Sequence, residues 1–489
     1  MRPQRTLIVV IGICLTLGVL GCGGRDDGTM PITTSSDAAR REYIEGRALL
    51  EKLRAQEAIP HLERAVKADP GFAMAHLMLA NAQQTPKEFF ASFNRAVSLL
   101  DNVSKGEQLV ILATQAGVNG DSRKQKELFE RLVELYPRDV RVAALLGNYY
   151  FGQQDYERAV AEYQKAEQID PEYSPIFNQM GYAYRYLGQY DKAEEAFQRY
   201  TSLIPDDPNP YDSYAELLLK SGKFDRAIET YRKALEISPE FVFSHLGIAS
   251  ALLLQGHADS ARQQLRTMLE ASANDGRRRQ ALTALAASFI DEGNFDSALV
   301  YLDRQLELGR ASHDSSAMAG DLLLLTSVHI EMGDFDTAAR LLETAGECIR
   351  NADVSDQVKE NSALNGYYFG ARIAVGRGDF DTARRLQGEY ATWTRRTQNP
   401  GLARISHELS AIIALAEGRY EAAITDLKQA NLYSPYNLYR LGQAYEGLGN
   451  MLEARSWYHK AAHFNETMGP AYAYVRQKAL AREAALSSS

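Results

Sequence analysis

The sequence is poor in the residues that make chemistry. It has only three cysteines in 489 residues, and no CxxC, HExxH or GxSxG arrangement. That excludes the common zinc, thiol-redox and serine-hydrolase signatures. There is no glycine-rich phosphate loop either: Ser221-Gly222-Lys223 lacks the upstream glycine that such a loop needs to aim its backbone amides at phosphate. Lys and Arg number 54 against 63 Asp and Glu, a formal net charge of −9. An acidic balance works against nucleic-acid binding, which draws on clustered cations to displace counterions. The nine histidines are scattered. His459 and His463 alone are spaced i, i+4, with Glu466 nearby, and they read as a solvated helix face. The sequence therefore implies no metal, no cofactor and no enzyme.

The first residues are unlike the rest. Arg2 and Arg5 precede an almost wholly apolar run from Thr6 to Gly18, too short to span a bilayer with comfort. The run ends in Val19-Leu20-Gly21-Cys22. This stretch resembles the lipobox of bacterial lipoproteins, departing from its commonest form at Val19. The resemblance implies cleavage after residue 21 and lipidation of Cys22, with stable membrane anchoring because each buried CH₂ adds about 0.8 kcal/mol. It also implies a location in the cell envelope, facing the periplasm. Gly23, where inner-membrane lipoproteins often carry Asp, points toward the outer membrane. With Cys14 in the leader and Cys22 lipidated, Cys348 has no disulfide partner and reads as an inert thiol. Residues 22–38, rich in Gly, Ser, Thr and Asp, are expected to be a flexible tether.

Four prolines give the body away. Pro137, Pro171, Pro205 and Pro239 recur at a fixed interval, and the same arrangement lies before each. In one unit Leu146, Gly147 and Tyr150 are followed by a turn and then by Ala159, Tyr163 and Ala166. The next gives Met180, Gly181 and Tyr184, then Gly188, Ala193 and Phe197. The third gives Tyr214, Ala215 and Leu218, then Gly222, Ala227, Tyr231 and Ala234. Small residues at fixed places let two helices cross closely, and aromatics fill the wider gaps. Glycine supplies the turn's positive φ, and proline ends the second helix.

This pattern resembles the tetratricopeptide repeat, and less regular copies extend it. They include Gly46 with Ala58, Leu62 and Ala65, the runs Gly293-Asn294-Phe295-Asp296, Gly333-Asp334-Phe335-Asp336 and Gly378-Asp379-Phe380-Asp381, and Leu441-Gly442 with Tyr445, Ala454 and Tyr458. In those runs Asp is expected to cap the second helix and Phe to pack beneath the turn.

The expected fold is all-α, a right-handed α-solenoid of about twelve such hairpins in two blocks. Its parts are a leader at 1–21, a tether at 22–38, blocks at 39–270 and 281–467, an irregular joint at 271–280, and a capping helix and tail at 468–489. The run of basic residues at 277–279 marks the joint.

The family resemblance implies a non-enzymatic scaffold that holds proteins or peptides in a groove lined by first helices. In this chain the inward positions of the regular units carry Arg141, Asn148, Phe151, Asn178, Tyr182, Arg185, Asn209, Asp212 and Glu216. Asn offers paired donors and acceptors to a ligand backbone, the aromatics offer flat contact, and Arg141 and Arg185 offer charge to a carboxylate. Tyr436, Tyr439, Arg440 and Gln443 form a second aromatic–polar patch. The expected partners are other proteins or peptides, with a regulatory or adaptor subunit of an envelope enzyme such as a peptidase or cell-wall synthase as the alternative role.

Overall fold

The computed structural model describes residues 28–487. The leader and Cys22 lie outside the described residues. Within them the chain is built from helices alone, paired into twelve antiparallel hairpins.

The first four hairpins are α1 (Asp37–Glu51) with α2 (Ala55–Ala68), α3 (Ala73–Ala82) with α4 (Pro86–Ser98), α5 (Lys105–Val118) with α6 (Ser122–Leu135), and α7 (Val140–Gly152) with α8 (Tyr156–Ile169). The next four are α9 (Pro175–Tyr186) with α10 (Tyr190–Leu203), α11 (Pro208–Lys220) with α12 (Phe224–Ile237), α13 (Val242–Leu254) with α14 (Ala258–Glu270), and α15 (Asp275–Asp291) with α16 (Phe295–Ala311). The ninth is α17 (Ser315–Met332) with α18 (Phe335–Arg350), and a short α19 (Asp356–Asn361) follows it. The last three are α20 (Ala363–Gly376) with α21 (Phe380–Thr397), α22 (Pro400–Ala416) with α23 (Tyr420–Leu427), and α24 (Pro435–Gly447) with α25 (Met451–Ala462). Two short helices, α26 (Pro470–Ala473) and α27 (Arg476–Ser487), close the array.

The spacing rules hold in three dimensions. A methyl group added to Gly147 would meet the Tyr163 ring at 2.5 Å, one on Gly181 would meet Phe197 at 2.5 Å, and one on Gly442 would meet Tyr458 at 2.6 Å. Those three aromatic side chains are almost wholly buried. The glycines are thus the contact points where the two helices of a hairpin cross. Hairpin turns use glycine at positive φ, as at Gly188 and Gly333. Asp334 and Asp379 each cap the following helix by accepting a backbone N–H, from Thr337 at 3.1 Å and Thr382 at 3.0 Å. Phe335 reaches beyond its own turn: its ring lies where a Cβ on Gly376 of the next hairpin would sit, so the glycine is a socket between repeats.

Three boundaries differ from the sequence reading. Residues 28–36, expected in the tether, are bound. Met30 donates its N–H to Asp139 at 2.9 Å, Thr33 donates to Glu107 at 2.8 Å, and the Thr34 hydroxyl donates to Asp69 at 2.6 Å. Met30 and Ile32 pack against the core of the first hairpins. Polar composition hid this, because two apolar residues and a few acidic acceptors are enough to pin an extended segment.

The joint at 271–280 shrinks to residues 271–274, and α14 packs directly on α15. The basic run belongs to the first turns of α15 and is paired: Arg277 with Glu240 at 2.7 Å, Arg278 with Asp275 at 2.6 Å, and Arg279 with Asp321. The two expected blocks are one continuous array. The terminal helix, expected as a single element, is broken between α26 and α27.

The array coils until its later hairpins rest on its earlier ones. Residues 218 to 279 apart in sequence meet along this seam. Asn274 donates to Gln56 at 2.7 Å, and Lys87 Nζ donates to the Ser312 carbonyl at 3.0 Å. Asn361 and Asn399 donate to the carbonyls of Asn119 and Gly120 at 2.8 and 3.1 Å. Tyr433 packs edge-on against both Tyr156 and Tyr186, with ring centroids 5.3 and 5.2 Å away.

Candidate partner-binding site

The inward face of α9 and α11 is part of where the repeat pattern places ligand-holding side chains. In this structure the chain fills it with its own residues. The connection after α25 runs into the groove. Lys220 donates to the Phe464 carbonyl at 2.6 Å and to Glu466 at 3.1 Å, and its ammonium sits 3.7 Å from the centre of the Phe464 ring. Met468 donates its N–H to Ser250 Oγ at 2.9 Å.

Arg185 does take a carboxylate, as its chemistry suggests, but the partners are internal. Its guanidinium lies 3.5 Å from Glu216 and 3.9 Å from Glu466, between the rings of Tyr182 and Tyr186. Burial opposes its charge, yet the two carboxylates win and raise its pKa further. Asn178 and Asp212 are buried as well. Asp212 accepts from the Ser244 hydroxyl at 2.7 Å. Burial, with Glu216 adding its charge, pushes the Asp212 carboxyl well above the usual carboxylate range. Asn178 Oδ1 and Arg185 Nε have no protein partner. Asn209 donates to the Tyr200 hydroxyl at 2.9 Å, and the half-buried Tyr182 donates to Ser213 at 3.3 Å. Phe151 stands edge-on to Tyr156 and Tyr186 beneath the seam.

Tyr182, Arg185 and Asp212 therefore tie neighbouring parts of the array together instead of facing solvent, and Asn178 is buried beside them. A repeat pattern read one unit at a time does not show that a long array coils back over its own groove.

Arg141 and Asn148 are placed differently. Both line a cleft of about 480 Å³ enclosed by the first four hairpins on one side and by residues 238–243, 277 and 280 on the other. Arg141 pairs with Glu51 at 2.7 Å and lies 5.1 Å from the centre of the Tyr173 ring. Asn148, exposed on α7, accepts from the Tyr163 hydroxyl at 2.7 Å. Met74, Met78 and Leu145 supply an apolar floor. Leu53 and Phe243 stand at the cleft 46% and 44% exposed. Leu53 also has a φ of 59°, a left-handed conformation that most other hairpin turns give to glycine. For a branched residue this costs on the order of 1 kcal/mol. The sequence reading passed over these cleft residues because they belong to irregular units, where no register points inward.

In the second patch Arg440 is buried, Tyr436 and Tyr439 are half-buried, and Gln443 stays exposed. Arg440 lies 4.0 Å from the centre of the Tyr436 ring and donates to Glu408 at 3.1 Å. Tyr436 donates to Glu331, which also pairs with Arg372 at 3.3 Å. Asn437, which the sequence reading missed, is fully buried and donates to Glu408 at 3.0 Å. Tyr439 stays beside Tyr458, with ring centroids 5.4 Å apart. Cys348 is half-buried and unbridged, and burial pushes its thiol up.

The comparisons with known proteins agree with the repeat geometry. Sequence models described as tetratricopeptide repeat or TPR repeat match residues 43–104, 147–184, 172–240, 218–286 and 435–466. The chain is a tetratricopeptide-repeat protein. Such arrays are typically non-catalytic protein-interaction scaffolds, and no enzyme family is indicated. No curated protein matches it significantly.

Among similar solved structures is TTC0263, a thermophilic TPR protein in Thermus thermophilus. It is 26% identical, covers 44% of this chain and 100% of its own, and has a TM-score of 0.29. PilW, described as a widely conserved type IV pilus biogenesis factor, is 22% identical, covers 45% and 97%, and scores 0.32. A tetratricopeptide repeat protein from Parabacteroides merdae is 12% identical, covers 56% and 93%, and scores 0.37.

Proposed function

We propose that this protein is a non-enzymatic adaptor of the bacterial cell envelope, held at a membrane by lipid on Cys22, which takes an extended segment of a partner protein into the cleft beside α1, α3 and α7. The observation that carries the reading is the cleft itself. An apolar floor of Met74, Met78 and Leu145, two exposed apolar side chains at Leu53 and Phe243, and the Arg141–Glu51 pair offer an apolar side chain a pocket and a ligand backbone or carboxylate its charge. Methionines suit such a surface because their unbranched side chains adapt to different occupants.

The lipid anchor rests on the Arg-led apolar leader ending at Gly21-Cys22. Among the described residues no helix is long and apolar enough to cross a membrane.

Two experiments test the reading. Crosslinking in native membranes followed by mass spectrometry identifies the partners, and Phe243→Ala combined with Arg141→Ala should release at least one of them. A full set of partners still bound to this double variant sinks the cleft. Recovery of a hydrolase or synthase as the main partner assigns the adaptor to an enzyme complex. Cys22→Ser should release the protein from membranes or block its processing, and unchanged processing and fractionation refute the anchor.

A further inference from the structure

His459 and His463 lie one turn apart at the C-terminal end of α25, and the sequence set Glu466 beside them. The structure turns Glu466 away, into the groove against Lys220. In its place Glu483, from α27, reaches across to both imidazoles. His459 Nδ1 is 2.8 Å from Glu483 Oε1 and His463 Nε2 is 3.3 Å from Glu483 Oε2, with the two rings 4.4 Å apart. One ligand atom from each of the three residues falls within a common 4.8 Å. This is the one group of three or more such side chains so gathered among the described residues.

We propose that His459, His463 and Glu483 form a divalent-cation site of the zinc class that clamps the closing helix α27 onto the last hairpin. Imidazole nitrogen and carboxylate oxygen bind zinc at about 2.0–2.2 Å, and a tetrahedral set at that radius places its ligand atoms roughly 3.3–3.5 Å apart. The two gaps to Glu483 are 2.8 and 3.3 Å and the gap between the imidazole nitrogens is within 4.8 Å, so the side chains have to adjust by rotation to admit the ion.

The donor set fits the ion: two imidazole nitrogens and one carboxylate oxygen are atoms that zinc takes. His459 and His463 are 60% and 47% exposed, which leaves the remaining coordination position to solvent. Neighbouring cations do not compete for Glu483. Arg482 is spent on Glu446, Lys478 on Glu331, and the Lys460 ammonium sits 4.0 Å from the centre of the Trp457 ring. Because the three ligands come from α25 and α27, an ion bound here bridges two elements that meet only in the folded state.

The test is titration of the full chain, purified without a histidine tag and stripped with EDTA, with ZnCl₂ at pH 7.5 against a chromophoric competitor. The expected result is one zinc per chain. His463→Ala and Glu483→Gln should each weaken binding by about tenfold or more, since each removes a ligand. Cobalt in place of zinc should give visible absorption that both variants lose. Zinc should also slow proteolytic cleavage between residues 463 and 487 in the parent chain and not in the variants. His463 is exposed and Glu483→Gln keeps the shape of a half-buried side chain, so circular dichroism of the variants should match the parent. Absence of stoichiometric zinc binding, or equal binding by parent and both variants, overturns the proposal.

Discussion

The pair Arg476–Asp291 gives the sharpest test of how the array is closed. Arg476 is on α27, Asp291 ends α15, and both are buried. Arg476 Nε donates to Asp291 Oδ1 at 2.8 Å, its second arm donates to the other carboxylate oxygen, and it also donates to the Leu253 carbonyl at 3.5 Å. Burial opposes the Arg476 charge, but the carboxylate prevails and raises its pKa. Replacing Arg476 with Met strands a carboxylate in the interior, and replacing Asp291 with Leu strands a guanidinium. Either loss should cost about 3–5 kcal/mol, most of it the desolvation of the orphaned charge. The double variant orphans neither group and should lie within about 2 kcal/mol of the parent, because a well-packed apolar pair replaces a buried ion pair at little net cost.

Repeat arrays do not unfold as one unit, so a single melting point is a poor readout. Hydrogen exchange of residues 470–487, followed with denaturant, reports the local opening directly. Single losses below about 1 kcal/mol, or a double variant as unstable as the sum of the singles, would refute the view that a buried charge pair fastens the end of the array.

Other expectations follow from the same contacts. Gly147→Ala and Gly181→Ala should each destabilise by about 1–3 kcal/mol, because the new methyl group meets a fully buried aromatic ring. Urea unfolding unchanged by either substitution would mean the helices do not cross there. Leu53→Gly should stabilise the fold by roughly 1 kcal/mol by relieving its left-handed backbone, while weakening partner capture at the cleft; a loss of stability would show that the side chain, not the strain, dominates. Asp212→Asn should stabilise the protein near neutral pH. The folded state holds the Asp212 proton above the pH at which the unfolded chain releases it, so this penalty is absent below the unfolded carboxylate pKa and grows as pH rises toward the folded one. Denaturation of parent and variant across that window should show the gap opening with pH, and a gap independent of pH would exclude the linkage.

Most of the fold was legible because it is local. The period, the Gly147–Tyr163 crossing and the Asp334 cap each depend on residues within one hairpin, where 3.6-residue periodicity and turn chemistry act directly. What the sequence hid lies between residues far apart along the chain. Nothing at Lys220 announces that it will hold the Phe464 carbonyl, and nothing at Tyr186 announces Tyr433. Each is an ordinary residue on an ordinary helix, and its partner is chosen by the accumulated rotation of the repeats between them. Small rotations per hairpin add up, so a slight change of crossing angle at each step shifts the seam by whole side chains.

That is why the sequence assigns these residues to first helices without showing what occupies the face they share. Register assigns a face to Arg185, and only the curvature of the whole array decides whether that face meets solvent, a partner, or Glu466. The cleft at Leu53 and Phe243 stays open for the converse reason. It lies where α1 and α3 meet the turn before α13 and the first turn of α15, and these later hairpins wall it on one side without filling it. If the seam fixes the curvature, weakening it at Tyr433 and weakening it at Arg476 should have different consequences. Tyr433 packs on the aromatic rings beside α8 and α9, so Tyr433→Ala should loosen the coil and expose the buried face around Arg185. Arg476 anchors only the end, so its loss should free α26 and α27 while leaving the cleft and its partner in place.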